Sequence, residues 1–225
     1  MYKLKYPTFE TTLPVSGKKV KFRPFNVGEQ KVLLMQAEDG TEGNKIVETI
    51  DTCGIGVDSK DLCQADREFL FLQIRAKAIG ERMQLGHKCE CGKVNKFDLD
   101  LENDLKVTGT SQKDTIEVAD GYALKMKMPS AALVEEMEKK RTIETVNAVL
   151  ADSIEMIAYG EQVDYAKDIP KEDIVDFIKQ LIDKDFQKLE SWLLKQPKLY
   201  ATVDYKCEEC GKENHVIVSG LLSFF

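Results

Sequence analysis

A short cysteine-containing segment occurs twice in this chain, as KCECGKVN (88–95) and as KCEECGKEN (206–214). The two copies, called here the first and second cysteine segments, share Lys, a close cysteine pair, Gly, Lys, one variable residue and Asn. Aligning Cys91 with Cys210 places the copies 119 residues apart (210 − 91). Because self-similarity along a chain indicates a repeated structural unit, the two segments predict an internal duplication.

The similarity continues upstream of the cysteine segments. Residues 13–35 and 116–138 both read as a strand-like run that crosses a glycine turn, at Gly17 or Gly121, and leads into a helix. These turns are 104 residues apart (121 − 17), which is 15 fewer than the cysteine segments (119 − 104). The second half is therefore predicted to carry an insertion of this size, in the loop region 159–173.

Each half is predicted to be an α+β unit with an N-terminal strand pair, about three helices and a cysteine-bearing β-hairpin. The first helix of each half is expected to begin after an N-cap residue, Asn26 or Ser130. The predicted domains are residues 1–105 and 106–225, packed as one pseudo-two-fold unit, with the polar segment 102–114 as linker. Apolar spacing predicts the remaining helices at 44–53, 66–81, 142–159 and 173–194, and the hairpin strands at 82–88, 94–101, 199–206 and 214–219.

The four cysteines of the two segments form the candidate metal site. A short cysteine spacing followed by Gly is typical of metal knuckles, because the turn directs two thiolates at one ion. Two such turns supply the four thiolates of a tetrahedral structural Zn²⁺, which would then clamp one half to the other. An iron–sulfur cluster also uses four cysteines and stays open as the lesser alternative. The predicted ligands are Cys89, Cys91, Cys207 and Cys210.

Other cysteines and histidines receive weaker assignments. His87 and His215 flank the cysteine segments, and we interpret them as residues of the hairpin surface or as neighbours of the ligands. Cys53 and Cys63 have no counterpart in the second half and are predicted to be small buried or partly buried thiols. Four reduced cysteines without a metal are the structural alternative to the zinc site, since the CxC turn at 89–91 is tighter than CxxC.

Composition and motifs exclude several classes of protein. The net charge of −7 and the pI of about 5.1 argue against a nucleic-acid binder, which needs clustered Lys and Arg. We expect no membrane segment, because no stretch approaches 18 apolar residues, and the start MYKLKYPTFE does not resemble a signal peptide. Phosphate-binding, zinc-protease and hydrolase motifs are missing, so no catalytic residues are assigned. Two alternatives remain: a cytoplasmic thiol or iron–sulfur redox protein, and a zinc-ribbon nucleic-acid binder.

The opening YKLKYPTFETTLPVSGKKVKFRPFNVGEQKVLL (2–34) resembles a known family, the baseplate hub assembly proteins of T4-like contractile-tailed bacteriophages. The match includes the LP, SGK and FRPF elements, with Gln30 where a second acidic residue is expected. The resemblance implies a small protein that is needed while the central hub of the tail baseplate is built, with other phage tail and baseplate hub proteins as partners. The residues agree, because an acidic chain without catalytic motifs or a membrane segment suits a non-enzymatic protein with neither nucleic acid nor membrane as partner. It implies a chaperone-like assembly factor or a hub component, located in the host cytoplasm during infection or in the virion baseplate.

Two segments are candidate contact surfaces for a partner. The C-terminal VSGLLSFF (218–225) ends in apolar residues, which either bind a partner or pack on their own domain. The strand KKVKFRPF (18–25) is rich in Lys and Arg, and its alternative interpretation is an edge strand protected by lysines.

Overall fold

The structure is a computed structural model that describes residues 4–36, 42–109, 114–220 and Phe224. Helices and antiparallel strands follow one another along the chain, and the predicted α+β class is confirmed. In chain order the elements are β1 Phe9–Thr12, β2 Lys19–Phe22, α1 Val27–Gln36, α2 Glu42–Cys53, β3 Gly54–Ile55, α3 Gln64–Ile79, β4 Arg82–Lys88, β5 Val94–Asp100, β6 Lys106–Thr108, β7 Thr115–Glu117, β8 Tyr122–Met126, α4 Ala131–Lys139, α5 Ile143–Ser153, β9 Ile154–Tyr159, β10 Gln162–Tyr165, α6 Lys171–Lys179, α7 Asp183–Leu194, β11 Lys198–Lys206 and β12 Glu213–Ser219.

The chain divides into two compact units. The first comprises the described parts of Met1–Asp61, Ala65–Thr108 and Lys198–Phe225, and the second comprises Leu62–Gln64 and the described part of Gly109–Pro197. Both cysteine-bearing hairpins, β4–β5 and β11–β12, therefore lie in the first unit. The compact units are defined by spatial contacts, whereas the predicted halves are defined by sequence similarity. The two divisions answer different questions, and the boundary between residues 105 and 106 stays a prediction.

The first unit contains three antiparallel sheets. Strands β1, β2 and β3 pair in that order, β4 pairs with β5, and β11 lies between β12 and β6. Strand β6 falls inside the predicted linker 102–114, which is thus partly ordered by pairing of Val107 with Leu199. The core of the unit is formed by buried side chains from these strands, from α2 and from α3, whose central turns are buried around most of the helix. Its fully buried members include Phe22, Ile50, Leu70, Leu72, Ile74 and Leu99.

The second unit is a four-stranded antiparallel sheet with helices. Its strand order is β10-β9-β8-β7, and β10 lies within the region where the sequence predicted an insertion. Leu124 of β8, Leu150 of α5 and Leu189 of α7 are all fully buried in one apolar cluster. Full burial of a large aliphatic side chain stabilises a fold by about 1.5–3 kcal/mol. This cluster is therefore the main stabilising element of the unit.

Two predicted helices are wrong in extent. The predicted helix 142–159 ends at Ser153, and residues 154–159 form β9, because pairing with β8 on one side and β10 on the other overrides the helical pattern. The predicted helix 173–194 is two helices, α6 and α7, separated at residues 180–182. Acidic residues in the first turn of α7 favour a new N-terminus there, since they complement the helix dipole.

The two predicted N-caps behave differently. Asn26 and Glu29 form a reciprocal capping box: Glu29 N–H donates to Asn26 Oδ1 at 3.0 Å, and Asn26 N–H donates to a Glu29 carboxylate oxygen at 2.8 Å. Ser130 occupies the N-cap position of α4, but its side chain makes no capping hydrogen bond. Its backbone N–H donates instead to Asp152 at 2.8 Å.

Both units repeat one topology and one buried contact. The order β1-β2-β3 in the first unit corresponds to β7-β8-β9 in the second. Asp66 of α3 accepts the backbone N–H groups of Val15 and Ser16 at 2.8 and 2.9 Å, and Asp185 of α7 accepts that of Ala119 at 2.9 Å. The aspartates are 119 residues apart (185 − 66), as are the cysteine segments. This recurrence supports the predicted duplication, which stays an inference about descent.

The structure bears on both predicted contact segments. Strand β2 is the middle strand of its sheet, so the interpretation of its lysines as protection of an edge strand is wrong. In the C-terminal segment, Phe224 is fully buried, while Leu221, Leu222 and Phe225 lie outside the described residues.

Among the described helices, none is both long enough and apolar enough to cross a membrane.

Replacement of Glu29 by Gln should test the ion pair between Arg23 and Glu29 at the start of α1. Arg23 binds both carboxylate oxygens of Glu29, at 2.9 and 2.8 Å, and this hydrogen bonding holds the pKa of Glu29 below its ordinary value. We expect Glu29→Gln to lower the free energy of unfolding by about 1 kcal/mol at pH 7. The lowered pKa of Glu29 adds stability fully only at pH values above the pKa of a glutamate in the unfolded chain, about 4.3. The stability lost in Glu29→Gln should therefore vanish as the pH falls through the pKa of Glu29 in the folded chain.

Urea unfolding at pH 7 and pH 3 measures this difference. Glu155→Gln is the matched control, because Glu155 pairs with Lys125 at 3.0 Å on the surface and should contribute less than about 0.5 kcal/mol. Equal losses for the two variants at pH 7, or a Glu29→Gln loss that is as large at pH 3 as at pH 7, would contradict the assignment.

Candidate metal centre

Each cysteine segment is the turn of a β-hairpin. In the first, Cys89 N–H donates to Lys93 O at 2.8 Å, and Gly92 N–H donates to Cys89 O at 2.8 Å. Gly92 has a φ of 92°, in the left-handed region where a side chain is strained. The predicted hairpin strands 82–88 and 94–101 are confirmed by β4 and β5 within one residue. The glycine therefore lets the chain reverse while both cysteines remain on the turn.

The second cysteine segment is built in the same way with one more residue. Cys207 N–H donates to Lys212 O at 2.8 Å, and Gly211 N–H donates to Cys207 O at 2.9 Å. Gly211 has a φ of 71°. The strands β11 and β12 confirm the predicted hairpin within one residue. CxC and CxxC thus give turns with equivalent hydrogen bonds despite their different lengths.

The four cysteine thiols come together in one cluster. Cys89 Sγ lies 3.8 Å from Cys210 Sγ, and Cys91 Sγ lies 3.7 Å from Cys207 Sγ, so each close pair joins the two segments. All four sulfurs lie within 4.8 Å of one another. The first cysteine of each segment is buried, at 2% exposure, and the second is exposed. The cluster is therefore a shared site with one protected side and one side open to solvent.

The spacing fits a single tetrahedral ion. Four sulfurs at about 2.3 Å from a central ion are about 3.8 Å from one another, close to the two distances found across the segments. A disulfide would require about 2.05 Å, so these thiols are not arranged as covalent pairs. The donor set is also chemically suitable, since soft thiolates select zinc and other thiophilic metals. The four predicted residues are thus compatible with a metal site.

The protein around the cluster shifts the protonation of two thiols. Backbone N–H of Cys210 is the main cause that lowers the pKa of Cys207 to about 6, and the Glu209 N–H and Asn95 amide act in the same direction. The Lys93 N–H lowers the pKa of Cys91, but loss of water and hydrogen bonds from the other thiols outweigh it and raise that pKa to about 12. The surroundings of Cys207 therefore favour its thiolate form.

Aromatic and polar side chains on the strands also join the two hairpins. Tyr205 of β11 stacks on Phe97 of β5 with ring centroids 5.9 Å apart, and its hydroxyl shares a hydrogen bond with His87 Nδ1 at 2.7 Å. His215 shares a 2.5 Å hydrogen bond with Asp204 on the surface of its own hairpin. Neither histidine belongs to the sulfur cluster, so the interpretation of both as surface or neighbouring residues is confirmed.

Sequence reasoning missed the polar contacts between the two segments. Glu90 and Lys212 form an ion pair at 2.6 Å, which lowers the pKa of Glu90, but both side chains are exposed and the pair is screened by solvent. Asn95 reaches across to the second segment through hydrogen bonds to Cys207 and Glu208. The asparagine that both segments repeat could have indicated such a contact. A single sequence does not show which of the two asparagines makes the contact between the segments.

The remaining cysteines lie apart from the cluster. Cys53 is 1% exposed at the end of α2, and burial raises its pKa to about 11, so it is an unreactive core thiol. Cys63 is partly buried. The prediction of two buried or partly buried thiols outside the four-cysteine cluster is confirmed.

The chain belongs to the T4 bacteriophage base plate protein family, whose sequence profile matches residues 6–225. It is similar to the baseplate hub assembly protein gp26 of Enterobacteria phage T4, with 24% identity over 213 residues and 94% of each chain covered. No solved structure matches this chain. The resemblance noted in the opening segment is confirmed.

Proposed function

We propose that this chain acts in assembly of the baseplate hub of a contractile phage tail through protein–protein contacts, without catalysing a reaction. The observation that carries the proposal is the family match across nearly the whole chain, together with similarity to a protein named for hub assembly. The four-thiol cluster adds the structural part of the proposal: Cys89, Cys91, Cys207 and Cys210 hold Zn²⁺ and fix the two hairpins together. Bound zinc would supply a cross-link between segments 119 residues apart (210 − 91) in sequence.

Zinc is favoured over an iron–sulfur cluster by the space between the sulfurs. A cluster of several iron and sulfide ions must fit between its cysteines and separates them widely, whereas these four sulfurs lie within 4.8 Å. That volume suits one ion. Four thiolates also close the coordination shell of zinc, which leaves no position for a substrate and agrees with a structural role.

The location follows from the proposed role. A protein that helps to assemble the hub works in the host cytoplasm during infection, and a hub component stays in the virion baseplate. We favour a chaperone-like assembly factor, with other hub and tail proteins as its partners. The acidic charge of −7 supports contacts with protein rather than with DNA.

Native mass spectrometry of tagged protein, purified from cells that co-express the other tail proteins, tests both parts. We expect one zinc ion per chain and a bound tail protein. The matched control is the same preparation with Cys63→Ser, which lies outside the cluster and should retain both. A metal-free chain would overturn the zinc clamp. A chain that binds no tail protein in any preparation would overturn the assembly role.

A further inference from the structure

Asn95 is a buried polar residue that connects the two cysteine segments. It lies in β5, directly after the first segment's turn, and is only 3% exposed. Its Nδ2 donates to Lys93 O at 3.3 Å in its own segment and to Cys207 Sγ at 3.4 Å in the other. Its Oδ1 accepts the backbone N–H of Glu208 at 3.0 Å. One side chain therefore holds a ligand thiol and the adjacent backbone of the second segment.

The orientation of this amide is determined by its surroundings. The Glu208 N–H is only a donor, so the atom that faces it must be the carbonyl oxygen of Asn95. The amide nitrogen then faces Lys93 O and Cys207 Sγ, which both accept hydrogen bonds. All three contacts agree with one orientation, and a reversed amide would place two donors against each other.

The equivalent residue of the second segment does not make this connection. Asn214 keeps the local contact, since its Nδ2 donates to Lys212 O at 2.9 Å, in parallel with Asn95 and Lys93. Asn214 is partly exposed, and in the described part of the chain no hydrogen bond joins it to the first cysteine segment. The repeated asparagine thus acts across the site in one copy only, and the two copies form a matched pair for experiment.

We infer that Asn95 is a positioning residue of the four-thiol site, which seats the second cysteine segment on the first and orients Cys207 before an ion binds. The inference rests on the proposed metal site, and it means that one of the two repeated asparagines supports that site while the other does not. An N–H donor to a metal-binding sulfur fixes the direction of its lone pairs, and residues in that role are commonly worth 10- to 100-fold in metal affinity. Because Asn95 also holds the Glu208 N–H, the ligand and its backbone are fixed together.

Cobalt titration of the metal-free full-length chain provides the test, with Co²⁺ as the probe and visible absorbance of the thiolate complex as the readout. We expect Asn95→Ala to bind Co²⁺ about 10- to 100-fold more weakly than the unaltered chain. Asn214→Ala should bind it with unchanged affinity. Asn95→Asp keeps an oxygen for the Glu208 N–H but places a carboxylate, instead of a donor, against Cys207 Sγ. Because a carboxylate repels a thiolate, this variant should bind Co²⁺ at least as weakly as Asn95→Ala.

The outcomes separate this inference from the metal proposal. If the unaltered chain binds one Co²⁺ and all three variants bind it equally well, Asn95 is not a positioning residue, while the metal proposal stands. If Asn95→Ala melts earlier without metal but binds Co²⁺ normally, its role is only structural and the inference fails.

A chain that takes up no Co²⁺ would overturn the metal proposal, and hydrogen exchange of the Glu208 amide then decides on the seating role. Faster exchange in Asn95→Ala than in Asn214→Ala would support the contact between the segments. Equal exchange in the two variants would overturn it.

Discussion

Cys207→Ser is expected to abolish tight metal binding and to remove most of the stability that zinc adds. Cys207 is buried, lies 3.7 Å from Cys91 Sγ and has the lowered pKa that favours a metal-binding thiolate. A hydroxyl in its place is a poor ligand for zinc at neutral pH. With zinc at about 1,000 times its dissociation constant, binding stabilises the folded chain by about 4 kcal/mol, and the variant should lose most of this.

Thermal unfolding followed by circular dichroism, with zinc and with EDTA, measures the effect. The difference between Cys207→Ser and the unaltered chain should be large with zinc and should nearly disappear in EDTA. Cys63→Ser controls for the loss of a partly buried thiol outside the cluster. A difference of the same size in EDTA would show that Cys207 stabilises the fold by packing and not through a metal.

Phe224→Ala should destabilise the chain by about 3–5 kcal/mol, the usual cost of removing a buried aromatic side chain. Phe224 is fully buried although it lies next to the C-terminal residue. The matched surface control is Ile217→Ala in β12, since Ile217 is 61% exposed and should change stability by less than about 0.5 kcal/mol.

Urea unfolding of both variants decides what Phe224 does. A large loss for Phe224→Ala alone assigns this phenylalanine to the core of the first unit. Equal, small changes in both variants would instead leave Phe224 free to bind a partner, as the apolar C-terminal segment first suggested.

The local elements of the site were predictable because they depend on short-range chemistry. Cysteine pairs followed by Gly specify knuckle turns, and alternating apolar residues on either side specify the hairpin strands, so β4, β5, β11 and β12 were predicted within one residue. The capping box of Asn26 and Glu29 is likewise a local pattern. The opening segment was sufficient to identify the family.

Long-range pairing determined what the sequence did not predict. Residues 154–159 continue an apolar helical pattern, yet they form β9 because neighbouring strands satisfy their backbone groups. Residues 106–108 look like a polar linker, yet β6 pairs with β11. Hydrogen bonds to strands distant in sequence decided both cases, and no local pattern encodes them.

Local patterns along the chain are enough to show that four cysteines occur in two equivalent turns, and hence which residues are the candidate ligands. Tertiary packing alone brings the four sulfurs within 4.8 Å of one another and makes Asn95, but not Asn214, span the segments. The reason is physical: a turn is specified by its own few residues, whereas the distance between two turns depends on the packing of every element that separates them.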